Sequence, residues 1–204
     1  MKHALVLIAA TAAAGAVGFV VFSGGGRDEA TVPSGLGTSQ SHISHASSTG
    51  SLVELERALQ VEEGTRNAVG EFGLGGGRTI RLHTADTTDG KSCLIEEGPR
   101  IGWGSTCLEN GLFGQRKLVF FVNSDGGPER FTELYVGGVA APGIAAVSIS
   151  KNDGSTEELL LTSERAFLFE STASDLERDV LPSGLRAFGR NGKLVQFVRF
   201  PSLR

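Results

Sequence analysis

The stretch that decides the fold spans residues 137–170 and reads GGVAAPGIAAVSISKNDGSTEELLLTSERAFLFE. Ala145, Val147 and Ile149 alternate with smaller or polar residues, which predicts a strand with one buried face. The Asn-Asp-Gly turn at residues 152–154 suits a tight reversal, so the leucines at 159–161 are expected to pair back antiparallel. Residues 166–169 predict a further strand, and the core is therefore expected to be a sheet.

Composition extends this prediction to the whole folded part. The 204 residues are 40% hydrophobic, enough for one substantial core, and 29 Gly with one Met favour many short strands and tight turns over a helical bundle. We predict an all-β fold, an antiparallel immunoglobulin-like two-layer sandwich with a short amphipathic helix. The net charge of -4, without a run of Lys and Arg, argues against nucleic acid and against a polybasic membrane face.

The amino terminus predicts a membrane anchor over residues 1–22. Residues 4–22 are uncharged and would span roughly 28 Å as a helix, close to the hydrocarbon core of about 30 Å. Lys2 precedes this run, which predicts a cytoplasmic amino terminus and a folded domain on the extracytoplasmic side of the cell membrane. A cleaved signal sequence is the alternative, but bulky apolar residues at 19–22 favour an uncleaved single-pass helix.

Residues 23–50 and 51–63 differ sharply in composition. The first segment is rich in Ser and Gly and predicts a flexible tether, in which His42 and His45 lack further ligands for a metal. The second carries Leu52, Leu55 and Leu59 at helical spacing. We expect this helix to pack its leucines on the edge of the domain 51–204, with presentation to a partner as the alternative.

Further strands are predicted at residues 68–72, 79–84, 92–95, 117–123, 131–136, 185–188 and 194–200. Residues 118–122 are apolar without alternation, which indicates an innermost strand buried on both faces. Asn191-Gly192 predicts a two-residue hairpin in which both residues have positive φ. In that register Leu185 faces Val198, Arg186 faces Phe197 and Phe188 faces Val195.

Cys93 and Cys107 are the only cysteines. On the extracytoplasmic side we expect them to form a structural disulfide bond, because a redox pair would need closer spacing or an activating base. No catalytic, cofactor or metal motif is present, and His83, near Asp86, is the one histidine of the folded domain. Adjacent residues of a strand point to opposite faces, so Glu96 and Glu97 are expected to be solvated.

Residues 98–114 are predicted to form a long glycine-rich loop that carries five apolar or aromatic residues, Pro99, Ile101, Trp103, Leu112 and Phe113. Its base would be held by the disulfide bond, which lowers the entropic cost of binding a partner. Two interpretations stay open. Trp103 either fills the core against the bridge, as in immunoglobulin-like domains, or belongs to a binding site.

Three segments together carry a resemblance: residues 135–147 (YVGGVAAPGIAAV), the turn at 152–154 and residues 185–192 (LRAFGRNG). With the cysteines upstream, they resemble a group of uncharacterised membrane-anchored extracytoplasmic β-sandwich proteins of high-GC Gram-positive (actinobacterial) type. The resemblance implies the fold and the compartment but no activity or site residue.

These observations predict a non-catalytic, membrane-anchored interaction or structural module of the cell envelope, without a cofactor. Its partners would be the membrane, through the amino-terminal helix, and an envelope protein or glycan. An extracytoplasmic hydrolase or small-ligand carrier is the alternative, and a deep polar pocket with perturbed titratable groups would favour it.

Overall fold

The described residues form an all-β fold with antiparallel sheets and few helices, as the sequence predicts. The computed structural model describes residues 18–20, 52–98, 102–127, 130–200 and 203. Within these ranges lie twelve strands: β1 Gly18–Val20, β2 Asn67–Leu74, β3 Arg78–Asp86, β4 Lys91–Gly98, β5 Gly102–Glu109, β6 Leu118–Gly127, β7 Arg130–Ala140, β8 Ile144–Lys151, β9 Thr156–Leu159, β10 Ala166–Glu170, β11 Pro182–Gly189 and β12 Leu194–Arg199. The helices are α1 Leu52–Leu59, α2 Ala173–Glu177 and a 3-10 turn at Gly75–Gly77.

The strands are arranged in three four-stranded sheets. The disulfide sheet has the order β2-β3-β4-β5, the central sheet β1-β6-β7-β10 and the C-terminal sheet β12-β11-β8-β9. The disulfide sheet is a meander in which consecutive strands are neighbours, whereas the chain passes back and forth between the other two sheets. The Pro142-Gly143 turn, with φ of 94° at Gly143, takes the chain from β7 in the central sheet to β8 in the C-terminal sheet.

The central sheet is buried on both faces. Leu118, Phe120 and Val122 of β6 pack against the C-terminal sheet, and the alternate residues Val119 and Phe121 pack against the disulfide sheet. All five side chains are 3% exposed or less. The prediction that this strand is innermost is therefore confirmed, because a strand between two sheets needs apolar residues at every position.

The third sheet is a correction to the predicted architecture. The sequence predicts two layers, but β2–β5 form a separate sheet that covers the outer face of the central one. The predicted strands in this region alternate ordinarily, so they give no sign that they belong to a third layer. The predicted immunoglobulin-like two-layer arrangement therefore leaves out the disulfide sheet.

Helix α1 covers the far face of the disulfide sheet. Leu55 is 2% exposed and packs with Ala85, Cys93 and Ile95, while Leu59 is partly buried against the same cluster. The expected packing role of the leucines is confirmed for these two residues. The helix ends at Leu59, earlier than predicted, and Gln60 follows with φ of 55°.

Only three residues of the predicted anchor lie within the described part. Gly18–Val20 form β1 and pair antiparallel with residues 122–124 of β6, so these three residues are extended where the sequence predicts a helix. The remainder of the anchor and the tether at 23–50 lie outside the described residues, and both stay predictions. Among the helices that are described, none has the length and apolar character needed to cross a bilayer.

The predicted turns close their hairpins with one positive-φ glycine each. Gly90, Gly154 and Gly192 have φ of 82°, 86° and 72°, and each amide donates to a carbonyl three residues earlier. Asn191 does not have positive φ, so the predicted two-residue turn is wrong at this position. A bulge follows, and Phe188 pairs with Leu194, whereas the predicted pairs of Leu185 with Val198 and Arg186 with Phe197 are confirmed.

Gly138 gives a test of the close packing within the central sheet. A Cβ atom at this residue would lie 2.4 Å from the Val119 carbonyl oxygen and 2.8 Å from the Phe167 ring. We expect Gly138→Ala to lower the free energy of unfolding by about 1–3 kcal/mol, the usual cost of overpacking. The measurement is urea denaturation. Gly73→Ala is the control, because nothing lies within 4 Å of the added atom, and equal stability of the two variants would contradict the close packing at Gly138.

Candidate functional site

The disulfide bond joins β4 to β5. Cys93 and Cys107 lie directly opposite each other in the strand pairing and are bonded, as predicted. Cys93 is fully buried beneath α1 with Leu55 and Ile95, so the bond lies in the core between helix and sheet. Because it crosslinks neighbouring strands of one hairpin, the bond fixes the register of that hairpin.

The predicted binding loop is largely a strand. Residues 102–109 form β5, and the Trp103 backbone pairs with Glu97. Gly102 and Gly104 interrupt the alternation of this strand, and the sequence does not predict it because Gly is uncommon in strands. The prediction of a long loop over residues 98–114 is therefore wrong for its middle part.

Two of the five residues proposed for that loop have described side chains. Leu112 and Phe113 follow β5 and are partly buried against the core cluster between the disulfide and central sheets. Pro99, Ile101 and the Trp103 side chain lie outside the described part, so whether Trp103 packs or binds stays a prediction. Whether the five residues form one surface also stays a prediction.

A buried polar cluster lies between the disulfide sheet and the central sheet. Glu96 projects from β4 toward Asn123 of β6 and Tyr135 of β7, which are themselves cross-strand neighbours. The Tyr135 hydroxyl donates to Glu96 Oε1 at 2.7 Å. Asn123 Nδ2 donates to the same oxygen at 3.2 Å and to the Tyr135 oxygen at 2.6 Å. The three residues form a closed triangle of hydrogen bonds.

Burial dominates the electrostatics of this triangle. Loss of hydration raises the pKa of the Glu96 carboxyl to about 7, against the hydrogen bonds from Tyr135 and Asn123, which lower it. Burial, and then the neighbouring Glu96 carboxylate, raise the pKa of Tyr135, which stays a neutral donor. The Glu96 carboxyl therefore carries a proton below neutral pH and titrates near it.

An ion-pair network borders the triangle on the same interface. Arg78 of β3 donates to Glu133 of β7 and lies 3.4 Å from a carboxylate oxygen of Glu170 on β10. Glu170 also accepts the Gly75 amide at 3.0 Å. The hydrogen bond to Glu133 raises the pKa of Arg78. These contacts join the disulfide sheet to two strands of the central sheet.

The triangle is sealed from solvent. Glu96 and Tyr135 are 3% exposed and Asn123 is 1% exposed, so no substrate reaches the carboxyl in this conformation. The cluster instead holds a protonatable group between two sheets. The expectation that Glu96 and Glu97 are both solvated is wrong for Glu96, which is buried. The signal was the alternation itself, since Glu96 shares a face with Leu94, which lies in the core.

His83 is the other titratable residue that the sequence singles out. It lies half-buried on β3, with Nε2 4.0 Å from Glu97 Oε2, and burial, followed by the charge of Arg66, lowers its pKa. Asp86 accepts a hydrogen bond from Ser92 Oγ at 2.5 Å. Within the described ranges, no three His, Cys, Asp or Glu residues are grouped so that they could hold a metal ion.

Comparisons of the chain with protein-family models, with curated proteins and with solved structures find no match. A functional proposal for this protein therefore depends on its own sequence and geometry.

Glu96 gives a test by pH. Its pKa is higher in the folded than in the unfolded chain, where it has the ordinary value of 4.5, so the folded state binds the proton more tightly. The resulting stabilisation is complete below about pH 4.5 and is lost as pH rises to about 7, a change of about 3 kcal/mol. We expect Glu96→Gln to remove this fall in stability, as measured by urea denaturation at pH 5 and at pH 8.

Glu97→Gln is the control for that experiment, since its side chain faces Arg81 and His83 on the other side of the same strand. The depressed pKa of His83 gives the opposite slope, which Glu96→Gln retains and Glu97→Gln increases, because the charge of Glu97 raises the pKa of His83. If the stability of the wild-type protein changed with pH in the same way as that of Glu96→Gln, this would contradict the burial of a titrating carboxyl.

Proposed function

We propose that this protein is a non-catalytic, membrane-anchored interaction or structural module of the cell envelope, with its folded domain on the extracytoplasmic side. It is of the type that the sequence resembles among high-GC Gram-positive bacteria. In this proposal the amino-terminal segment is a membrane-spanning helix, so residues 18–20 exchange their pairing with β6 for that helix, and the tether gives the domain its distance from the bilayer. In this proposal the immunoglobulin-like description applies to the sandwich formed by the central and C-terminal sheets.

The buried disulfide bond is the observation that carries the proposal. Disulfide bonds form and persist in oxidising compartments, whereas cytosolic thiols are kept reduced. Cys93 is 0% exposed, so the bond is a structural part of the core and is poorly placed for thiol exchange. An export signal or anchor and an oxidised core cysteine pair support the same compartment independently.

The buried Glu96 is the observation that favours the second candidate, an extracytoplasmic hydrolase or small-ligand carrier. Carboxyl groups with a pKa near 7 are common among catalytic acids and bases. A general acid must also lie within hydrogen-bond reach of its substrate. Tyr135 and Asn123 both donate to Glu96 Oε1, and Glu96 is buried, which supports the structural role over the catalytic one.

The disulfide bond gives the first test. We expect the exported protein to contain no thiol that iodoacetamide can alkylate without reductant, as measured by intact mass. Replacing both Cys93 and Cys107 with Ser should lower the free energy of unfolding by about 3 kcal/mol, from the entropy of closing a loop of this length. Two alkylatable thiols in protein isolated without reductant would contradict an oxidising location.

The location gives the second test. We expect the full chain to remain with membranes in alkaline carbonate, and protease added to intact cell-wall-free cells to digest the domain while a cytosolic marker survives. A variant that begins at Ser51 lacks the anchor and is expected to be soluble, with a β-rich circular dichroism spectrum. Protection of the domain from the added protease would contradict the proposed topology, and mature protein beginning within residues 14–24 would contradict the anchor.

A further inference from the structure

The β11–β12 hairpin carries an unusual combination of charge and exposed apolar surface. Between residues 182 and 199 the chain has four basic residues and no Asp or Glu, although its net charge is -4. Arg186, Arg190, Lys193 and Arg199 are spread along the sequence and form no run. Strand pairing brings them onto one hairpin, which is why the sequence gives no sign of a basic cluster.

Apolar side chains lie among these cations. Val195 and Phe197 are 41% and 38% exposed, and they alternate with the buried Gln196 and Val198, so they project from the outer face of the C-terminal sheet. Leu194, at the bulge beside the turn, is 50% exposed. The hairpin thus presents apolar groups next to positive charge.

Three of the four basic residues on this hairpin take no part in an ion pair within the described residues. Arg190, Lys193 and Arg199 are exposed and form no ion pair with any described residue. Arg186 lies opposite Phe197, with its guanidinium carbon 5.5 Å from the ring centroid. The nearest acidic residue in the same cross-strand row is Glu158 on β9, two strands from Arg186 or roughly 10 Å.

We propose that this hairpin docks on an anionic lipid surface. Basic side chains beside exposed aromatic and aliphatic groups are what an interfacial membrane contact requires: the cations meet lipid phosphates while the apolar groups enter the headgroup boundary. The exposed apolar groups favour lipid over a soluble polyanion, which would leave them in water. The proposal deepens the proposed function, because the membrane in question is the one that anchors the chain.

The fold and the tether permit this orientation. Helix α1, where the tether joins the domain, covers the outer face of the disulfide sheet, and the C-terminal sheet lies on the opposite side of the central sheet. With sheets about 10 Å apart, the tether must cover roughly 30 Å to let the hairpin reach the bilayer. Residues 23–50 can extend to roughly 95 Å, so the predicted tether is long enough.

The experiment uses the full chain with Phe197→Trp, reconstituted into vesicles that contain brominated lipid. Quenching of the new indole reports its entry into the headgroup region, and the parent chain with its native Trp103 gives the baseline. We expect added quenching in vesicles of phosphatidylglycerol and phosphatidylcholine, its loss in phosphatidylcholine alone and its reversal in about 0.5 M salt.

Charge reversal is the matched comparison. Arg190→Glu with Lys193→Glu is expected to weaken docking at least about 25-fold, from roughly fivefold for each basic residue near an anionic surface. Arg57→Glu with Arg130→Glu changes the net charge equally at exposed positions outside the hairpin and should leave quenching unchanged. If the two double variants lost quenching equally, net charge alone would explain the docking, and the proposal would be overturned.

Other outcomes also decide the question. Quenching that is the same in neutral and anionic vesicles, or absent from both, overturns the proposal; absence together with a dimeric mass would assign the face to a second copy. Carbonate extraction separates this result from the proposed function. A chain that resists extraction without quenching is anchored but does not dock by this hairpin, whereas a chain that quenches but is extracted docks without the anchor.

Discussion

The burial of the central sheet on both faces is the constraint on which the rest of the structure depends. Because β6, β7 and β10 lie between two other sheets, successive side chains enter different cores, and an unpaired polar group on either face is costly. Phe120 packs toward the C-terminal sheet, and its neighbour Phe121 packs toward the disulfide sheet. At Gly137 and Gly138 the sheet leaves room for the rings of Phe121 and Phe167.

The polar groups between the disulfide and central sheets are consistent with this constraint. Glu96, Asn123 and Tyr135 hydrogen-bond to one another at an interface that is otherwise apolar, while Arg78 joins Glu133 and Glu170 near the edge. Such contacts have directional preferences that apolar contacts lack, so they select one alignment of the two sheets. Their cost is a carboxyl group whose pKa burial raises to about 7, so the energy of this interface depends on pH.

The sequence predicts the strands better than it predicts their arrangement. Periodicity and turn residues predict ten of the twelve described strands because alternation and glycine conformation are local properties, although β9 ends at Leu159, where its predicted strand begins. Gly102 and Gly104 interrupt the pattern of β5, and the apolar run that contains β1 predicts a helix. Layer assignment depends on contacts between distant segments, so β2–β5 give no indication of a third sheet. The burial of Glu96 and the basic cluster on the β11–β12 hairpin are not predicted from the sequence for the same reason, because both depend on how the strands pair.

The meander of the disulfide sheet has a consequence for the order in which the chain folds. All of its strand partners lie between residues 67 and 109, and its crosslink joins adjacent strands, so this unit can pair and oxidise while the rest of the chain is still emerging. Its inner face, which includes Ile80, Leu82 and Leu94, stays uncovered until β6, β7 and β10 arrive. During synthesis from the amino terminus this apolar face is therefore exposed for an interval, whereas the face that α1 covers can already be packed.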